Sequence, residues 1–172
     1  RGRPDVVVSG RATGSMTARN DVGSRWLSVT RLRDLLLADI PASRLVIACD
    51  TIGGIGPRPD DSYPAAPVWC AHLGARVPLL EVLCAGARPL VLVDTLCQDS
   101  ASAQPMIAEF RRCALDAGID PDAVTGSTED NVATTQTGVG VTIIGVMHHE
   151  DVPKSIEGDV LVCVGSTSAA TT

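Results

Sequence analysis

The sequence predicts an α+β domain, and three observations predict it. The 172 residues suit one domain, or one with a small appendage. Hydrophobic residues make up 45% of the chain and aromatics only 2%. The core must therefore be built from Val, Leu, Ile and Ala. The order of apolar patterns along the chain is helix, strand, helix, strand, helix, strand, strand, and no internal repeat interrupts it. The strand-like runs carry few polar positions. Such strands are covered on both faces, or meet another subunit.

Each element has its own signal. Val6-Val7-Val8 is a candidate short strand, and Ser9 to Ser24 is rich in Gly, Ser, Thr, Arg and Asn, the composition of a flexible linker. Residues 1–30 read as a leader. Trp26 to Ile40 has helical spacing, with Leu32, Leu35, Leu36 and Ile40 on one side and Pro41 as a stop. Residues 44–49, ending in Leu45-Val46-Ile47-Ala48-Cys49, read as a buried strand that delivers Asp50 at its end. Asp60 to Val68, with prolines at 59, 64 and 67, reads as an extended loop.

Ala71 to Ala87 is the next element, with Leu79, Leu80, Leu83 and Ala87 as its stripe. Pro78 places the helix start near Val77, because a proline inside a helix costs about 3 kcal/mol. Pro89-Leu90-Val91-Leu92-Val93-Asp94 repeats the pattern of an apolar strand ending in a carboxylate. Ala101 to Ala117 is a helix through Met106, Ile107, Phe110 and Leu115, stopped by Gly118. Ile119 to Val124 leads into a small-residue loop, Thr125-Gly126-Ser127-Thr128-Glu129-Asp130-Asn131. Gly138 to Val146 is a strand, closed by His148, His149 and Glu150. Asp159 to Val164 is expected to be a last strand, and 166–172 a disordered tail.

The net charge of −6 excludes an extended nucleic-acid or anionic-membrane surface. The scarcity of aromatics removes base-stacking platforms. No apolar run is long enough to span a membrane. The N-terminal residues lack the apolar core of a signal peptide. Six cysteines, at 49, 70, 84, 97, 113 and 163, form no C-x-x-C pair and sit mostly in apolar runs. They read as small buried hydrophobes in a reducing, cytoplasmic compartment, and their spacings fit no zinc motif.

The chemistry concentrates around Asp50-Thr51-Ile52-Gly53-Gly54-Ile55-Gly56-Pro57-Arg58. A strand fixes the carboxylate, and glycines let backbone N–H groups approach a ligand because no Cβ intervenes. Phosphate with a hard cation such as Mg²⁺ suits this loop. The plain alternative is a Gly/Pro turn after a strand. Asp50, Glu81, Asp94, Glu129 and Asp130 together form a carboxylate set, and clustered carboxylates repel unless a cation neutralises them. For Glu81 the alternative is a solvated helix position; for Asp94, a turn; for Glu129 and Asp130, an Asx-type turn or helix cap. No Walker motif is present.

These elements, in this order, resemble the N-terminal, ATP-binding half of the aminoimidazole ribonucleotide synthetase superfamily, which includes thiamine-monophosphate kinase. Asp50-Thr51-x-Gly is similar to its early Asp-Thr-x-Gly element. Glu81 through Gly86-Ala87-Arg88-Pro89 stands where the superfamily usually reads Asn-Asp-φ-x-x-x-Gly-Ala-x-Pro, φ being apolar, so Glu81 takes the place of a metal-binding aspartate. Asp94 matches the aspartate ending the next strand. Gly126-Ser127-Thr128-Glu129 stands for Gly-Gly-Glu-Thr. Arg33-Asp34-Leu35, Ala48-Cys49-Asp50, the run Ala75-Arg76-Val77 through Glu81, and Gln136-Thr137-Gly138 after Asn131 add a likeness to the synthetase-related proteins, some of which are α-ribazole kinases of cobalamin salvage.

The resemblance implies a mostly antiparallel sheet with helices on one face, pairing into a barrel across a homodimer. It implies ATP and Mg²⁺ as ligands. Gly53, Gly54, Gly56, Arg58, Gly126, Ser127 and Thr128 would lie near the nucleotide. Asp50, Glu81, Asp94, Glu129 and Asp130 would hold metal. The expected reaction is phosphoryl transfer to a small molecule, with α-ribazole the favoured acceptor. The ATP-binding domain is expected over 31–165, without the superfamily's C-terminal domain. That missing half favours an alternative: a non-catalytic module that dimerises and binds nucleotide. Synthetase chemistry of the purine-biosynthesis type is a further possibility.

Overall fold

The computed structural model describes residues 27–148 and 153–162. The candidate strand at 6–8, the linker at 9–24, His149, Glu150 and the tail at 166–172 lie outside the described residues. One sheet holds six strands in the order β1-β2-β3-β8-β6-β7. These are β1 (Ser28–Leu32), β2 (Leu35–Ile40), β3 (Ser43–Gly53), β6 (Arg88–Leu96), β7 (Val124–Thr128) and β8 (Gly138–Met147). Every pairing is antiparallel except β6 with β7. Helices α1 (Pro67–Cys84) and α2 (Ser100–Asp116) pack together. This is the expected α+β fold.

The helix expected over 26–40 is instead, over its described residues, a pair of strands. Leu32 pairs with Leu35 across the Arg33-Asp34 turn, and Arg33 takes a left-handed φ of 52°. A second tight turn, Pro41-Ala42, joins Ile40 to Ser43, with Ala42 at φ 69°. Proline at the first corner and a left-handed residue at the second is the demand of a type II turn. The leucines mislead because β2 is apolar on both faces. Leu35 and Leu37 are buried on one face; Leu36 on the other is half-buried, and Ala38 there is buried. That removes the alternation by which a strand is read.

Helix α1 starts at Pro67, ten residues before the expected Val77, and runs unbroken through Pro78. Proline suits its first position. Pro78 is tolerated where it stands: the residue four before it, beneath its ring, is Gly74. Gly74 also sits close on the sheet, where an added Cβ would meet Ile52 at 3.4 Å and Val141 at 3.6 Å. The ring of Pro78 is fully buried, and that packing offsets the lost hydrogen bond. The preceding stretch is not one long loop. β4 (Ile55–Gly56) and β5 (Tyr63–Pro64) form a short parallel pair.

Helix α2 is as expected, with Asp99 as N-cap and Gly118 in the left-handed conformation after its end (φ 76°). The loop expected over 125–131 is a strand, β7, as far as Thr128; its pairing with β6 is long-range and leaves no local signature. No strand forms among the described residues 159–162. A turn at Glu157-Gly158 precedes them, closed by Asp159 N–H to Ile156 O at 3.2 Å. Val160, Leu161 and Val162 stand exposed there without a neighbouring strand.

The core fills one face of the sheet. Val46, Ala48, Val141, Ile143 and Leu92 point to Ala75, Val82, Met106 and Phe110 of the helices, all buried. The opposite face carries Leu36, Leu45, Ile47, Ile144, Val91 and Val93, all half-buried, and no described helix covers it. Among the described residues, no helix is long and apolar enough to cross a membrane.

Candidate functional site

β3, β6 and β7 end at one edge of the sheet, at Gly53, Leu96 and Thr128, where β8 begins at Gly138. The glycine loop, the N-terminus of α2 and the 129–137 segment therefore converge. The loop is stitched to that segment. Gly54, at φ 67°, donates its N–H to Thr137 O at 2.9 Å. Asp61 accepts from Thr137 N–H (2.7 Å), Thr137 Oγ1 (2.6 Å) and Arg58 N–H (2.8 Å). Burial opposes ionisation of Asp61, but these bonds and the Arg58 charge outweigh it and hold its pKa below the ordinary value. A Cβ on Gly56 would lie 2.3 Å from Thr137 Oγ1, so only glycine fits against that side chain.

Arg58 reaches the start of α2. Its Nη2 donates to Asp99 Oδ2 and to Ser102 Oγ, each at 3.3 Å. Ser102 holds Asp99 through its hydroxyl and amide, and the Asp99 pKa falls to about 2. Asp130 accepts from Ser100 N–H (2.9 Å) and Thr128 Oγ1 (2.6 Å), which lower its pKa. Glu129 Oε1 accepts from Asn131 N–H (2.8 Å) and Val132 N–H (3.2 Å). Glu129 and Asp130 thus hold their own loop and the helix start, the turn-and-cap arrangement that their sequence context also allows.

A second arrangement crosses the sheet on its helix-covered face. Asp50 and Asp94 are both register partners of Val141, and Gly126 is the partner of Asp94. Two strand spacings separate Asp50 from Asp94, about 10 Å. Asp94 is buried, and burial pushes its pKa up to about 6 even though the Arg111 charge and its own backbone amide act the other way. Its carboxylate lies directly over Gly126. A groove of about 420 Å³ opens there, lined by Asp94, Ser100, Arg111, Gly126, Ser127 and Thr128.

Asp50 belongs with a third group. Glu81 projects from α1, and its Oε2 is buried with no hydrogen-bond partner among the described residues. Burial raises its pKa first, and the charges of Asp34 and Asp50 raise it further. Asp34 stands in the β1–β2 turn, so a hairpin, a central strand and a helix each bring one carboxylate. A cavity of about 750 Å³ is lined by Arg33, Asp34, Leu80, Glu81, Cys84 and Lys154. An unpartnered buried carboxylate oxygen is a group that a hard divalent cation takes as a ligand, and Asp34 and Asp50 act on it through their charges. Asp94, Glu129 and Asp130 are engaged elsewhere and do not join this group. The sequence motif pointed to Asp50 and Glu81 but not to Asp34, which only the hairpin turn brings in.

No protein-family model matches the sequence, and no curated protein does. Solved structures do match. The thiamine monophosphate kinase of Aquifex aeolicus is similar over 68% of this chain and 38% of its own, at 11% identity and a TM-score of 0.50. The thiamine-monophosphate kinase of Stenotrophomonas maltophilia is similar over 67% and 38%, at 17% identity and a TM-score of 0.46. Thermotoga maritima PurL, solved with ADP, is similar over 72% and 20%, at 13% identity and a TM-score of 0.43. This chain spans little more than a third of the length of the Aquifex kinase. The sheet order and the two helices on one face agree with that likeness: the chain shares the fold of the matched part of the Aquifex kinase.

Proposed function

We propose that this chain is the ATP- and Mg²⁺-binding part of a small-molecule phosphotransferase. The observation that carries the reading is Glu81. Its buried Oε2 has no hydrogen-bond partner among the described residues, and the charges of Asp34 and Asp50 act on it. It also occupies the position where the resembled superfamily holds a metal-binding aspartate. A divalent cation there supplies charge neutralisation and a bridge to phosphate oxygens.

The protein's own groups divide the remaining work. Asp34, Asp50 and Glu81 fix the cation from three elements. The loop of Gly53, Gly54 and Gly56 and the strand Gly126-Ser127-Thr128 shape the edge where the nucleotide lies. Arg58, paired with Asp99 at 3.3 Å, is the cation of this edge that would hold phosphate. Glu129 and Asp130 keep the α2 N-terminus in place. The likeness to the synthetase-related proteins makes α-ribazole the favoured acceptor.

The test is calorimetric titration of ATP with and without Mg²⁺, on the native chain and on Asp50→Asn. Binding that needs Mg²⁺ and is lost in the variant supports the reading. Equal binding by the two proteins, or none by either, overturns it.

A second reading has its own observation. The open sheet face places Leu45, Ile47, Ile144 and Val146 side by side. An apolar sheet face of this kind is suited to a second copy of the chain. A homodimer formed through it, without turnover, is the assembly alternative. A dimeric mass in light scattering, lost in Ile47→Lys, supports it; a monomer at micromolar concentration removes it.

A further inference from the structure

His72, on α1, meets Glu109 and Cys113, one helical turn apart on α2. His72 Nδ1 lies 2.9 Å from Glu109 Oε1 and 3.7 Å from Cys113 Sγ, and Cys113 Sγ lies 3.5 Å from Glu109 Oε1. One donor atom from each residue lies within 4.8 Å of the others. We propose that His72, Glu109 and Cys113 form a transition-metal site, of the Zn²⁺ class, that clamps α1 to α2.

The distances carry the inference. A tetrahedral zinc ion with one nitrogen, one oxygen and one sulfur ligand separates those atoms by about 3.3 to 3.6 Å, from the usual bond lengths. Both distances to sulfur already lie within 0.2 Å of that range. The nitrogen–oxygen pair is at hydrogen-bond length and opens by a few tenths of an ångström when a metal replaces the proton between them. Ligands at i and i+4 on one helix with a third from its neighbour form one face of a tetrahedron. His72 is 32% exposed, so the fourth position opens to solvent.

The surroundings suit the role. Arg112 Nε donates to Glu109 Oε2 at 2.9 Å and its Nη2 donates to Oε1 at 2.5 Å, the oxygen that also faces the other two residues. Such outer bonds orient ligating carboxylates. Arg112 and the His72 bond hold the Glu109 pKa down at about 2 against the effect of burial, so the carboxylate is ionised. Trp69 meets the His72 ring edge-on, with centroids 5.8 Å apart, and limits its rotation.

Nδ1 of His72 and Nη2 of Arg112 both converge on Glu109 Oε1, and lie 3.2 Å from each other. Binding a metal would require Cys113 to give up its thiol proton, which would pass to solvent. Arg112, half-exposed, keeps Asp116 as a partner when its Nη2 withdraws.

The test is titration of the purified chain with Co²⁺, then Zn²⁺. The expected result is one Co²⁺ per chain, with visible bands of tetrahedral intensity and a near-ultraviolet thiolate charge-transfer band, both erased by stoichiometric Zn²⁺. Cys113→Ser loses the charge-transfer band. His72→Gln, at a partly exposed position that folding tolerates, weakens binding by roughly tenfold or more. Absence of the charge-transfer band in the native chain overturns the proposal. So does its survival in Cys113→Ser, which would assign it to another of the six cysteines, or unchanged affinity in His72→Gln.

Discussion

The carboxylate of Asp94 lies over Gly126 so closely that a methyl group on the glycine would come within 2.4 Å of its carboxyl carbon. The two residues are register partners on β6 and β7, at the floor of the groove beneath α2. Gly126→Ala is therefore expected to displace Asp94 and cost about 1–3 kcal/mol. Urea unfolding measures it. The double variant Gly126→Ala, Asp94→Ala should recover part of the loss, because the clash is then gone. An additive double variant would place the cost elsewhere.

Asp94 also gives the chain a pH dependence of definite sign. Its folded pKa, about 6, is above the ordinary 3.8, so the folded state binds the proton more tightly. The stabilisation is full below the unfolded value and is lost as pH rises through about 6. The difference between native chain and Asp94→Asn should therefore shift against the native chain from pH 4 to 6.5, then level off. A shift of this size corresponds to about 2–3 kcal/mol. Asp99 and Glu109 act oppositely, since their pKa values are lowered and their contributions are lost only as pH falls toward about 2.

Glu81 should trade stability against binding. Its raised pKa means that folding disfavours its charge in the absence of a cation. Glu81→Gln is expected to raise the thermal midpoint at pH 7 without metal and to abolish any further rise on adding Mg²⁺ and ATP. A midpoint that falls in the metal-free variant would show that Glu81 has a structural partner.

The Pro41-Ala42 turn offers a local gain. Ala42 holds φ at 69°, where a side chain costs about 1–2 kcal/mol, while glycine returns part of that as unfolded-state entropy. Ala42→Gly should stabilise the chain by about 0.5–1 kcal/mol, read as a higher urea midpoint with an unchanged slope. The opposite substitution, Gly118→Ala, should destabilise the chain, because Gly118 is left-handed with open space around its Cβ position.

The sequence by itself determined the parts that depend on local chemistry. Three apolar runs became β3, β6 and β8, because runs without polar positions cannot face water on either side. Helix α2 formed where its apolar spacing and Gly118 placed it, within one residue at each end. An apolar run and a motif each marked one acid, Asp50 and Glu81, but β3 continues to Gly53, so Asp50 stands inside the strand and not at its end. The tertiary structure decided the rest. Leu32, Leu35, Leu36 and Ile40 have helical spacing, but a strand apolar on both faces has no alternation to betray it. Pro78 sits within a helix because burial on the sheet above Gly74 outweighs its local cost. Strand β7 exists through its pairing with β6. Asp34 joins Glu81 only after a hairpin turns back on β3, and His72 meets Glu109 and Cys113 only when α1 packs on α2. Spacing along the chain encodes what a segment becomes; register and packing decide which side chains meet.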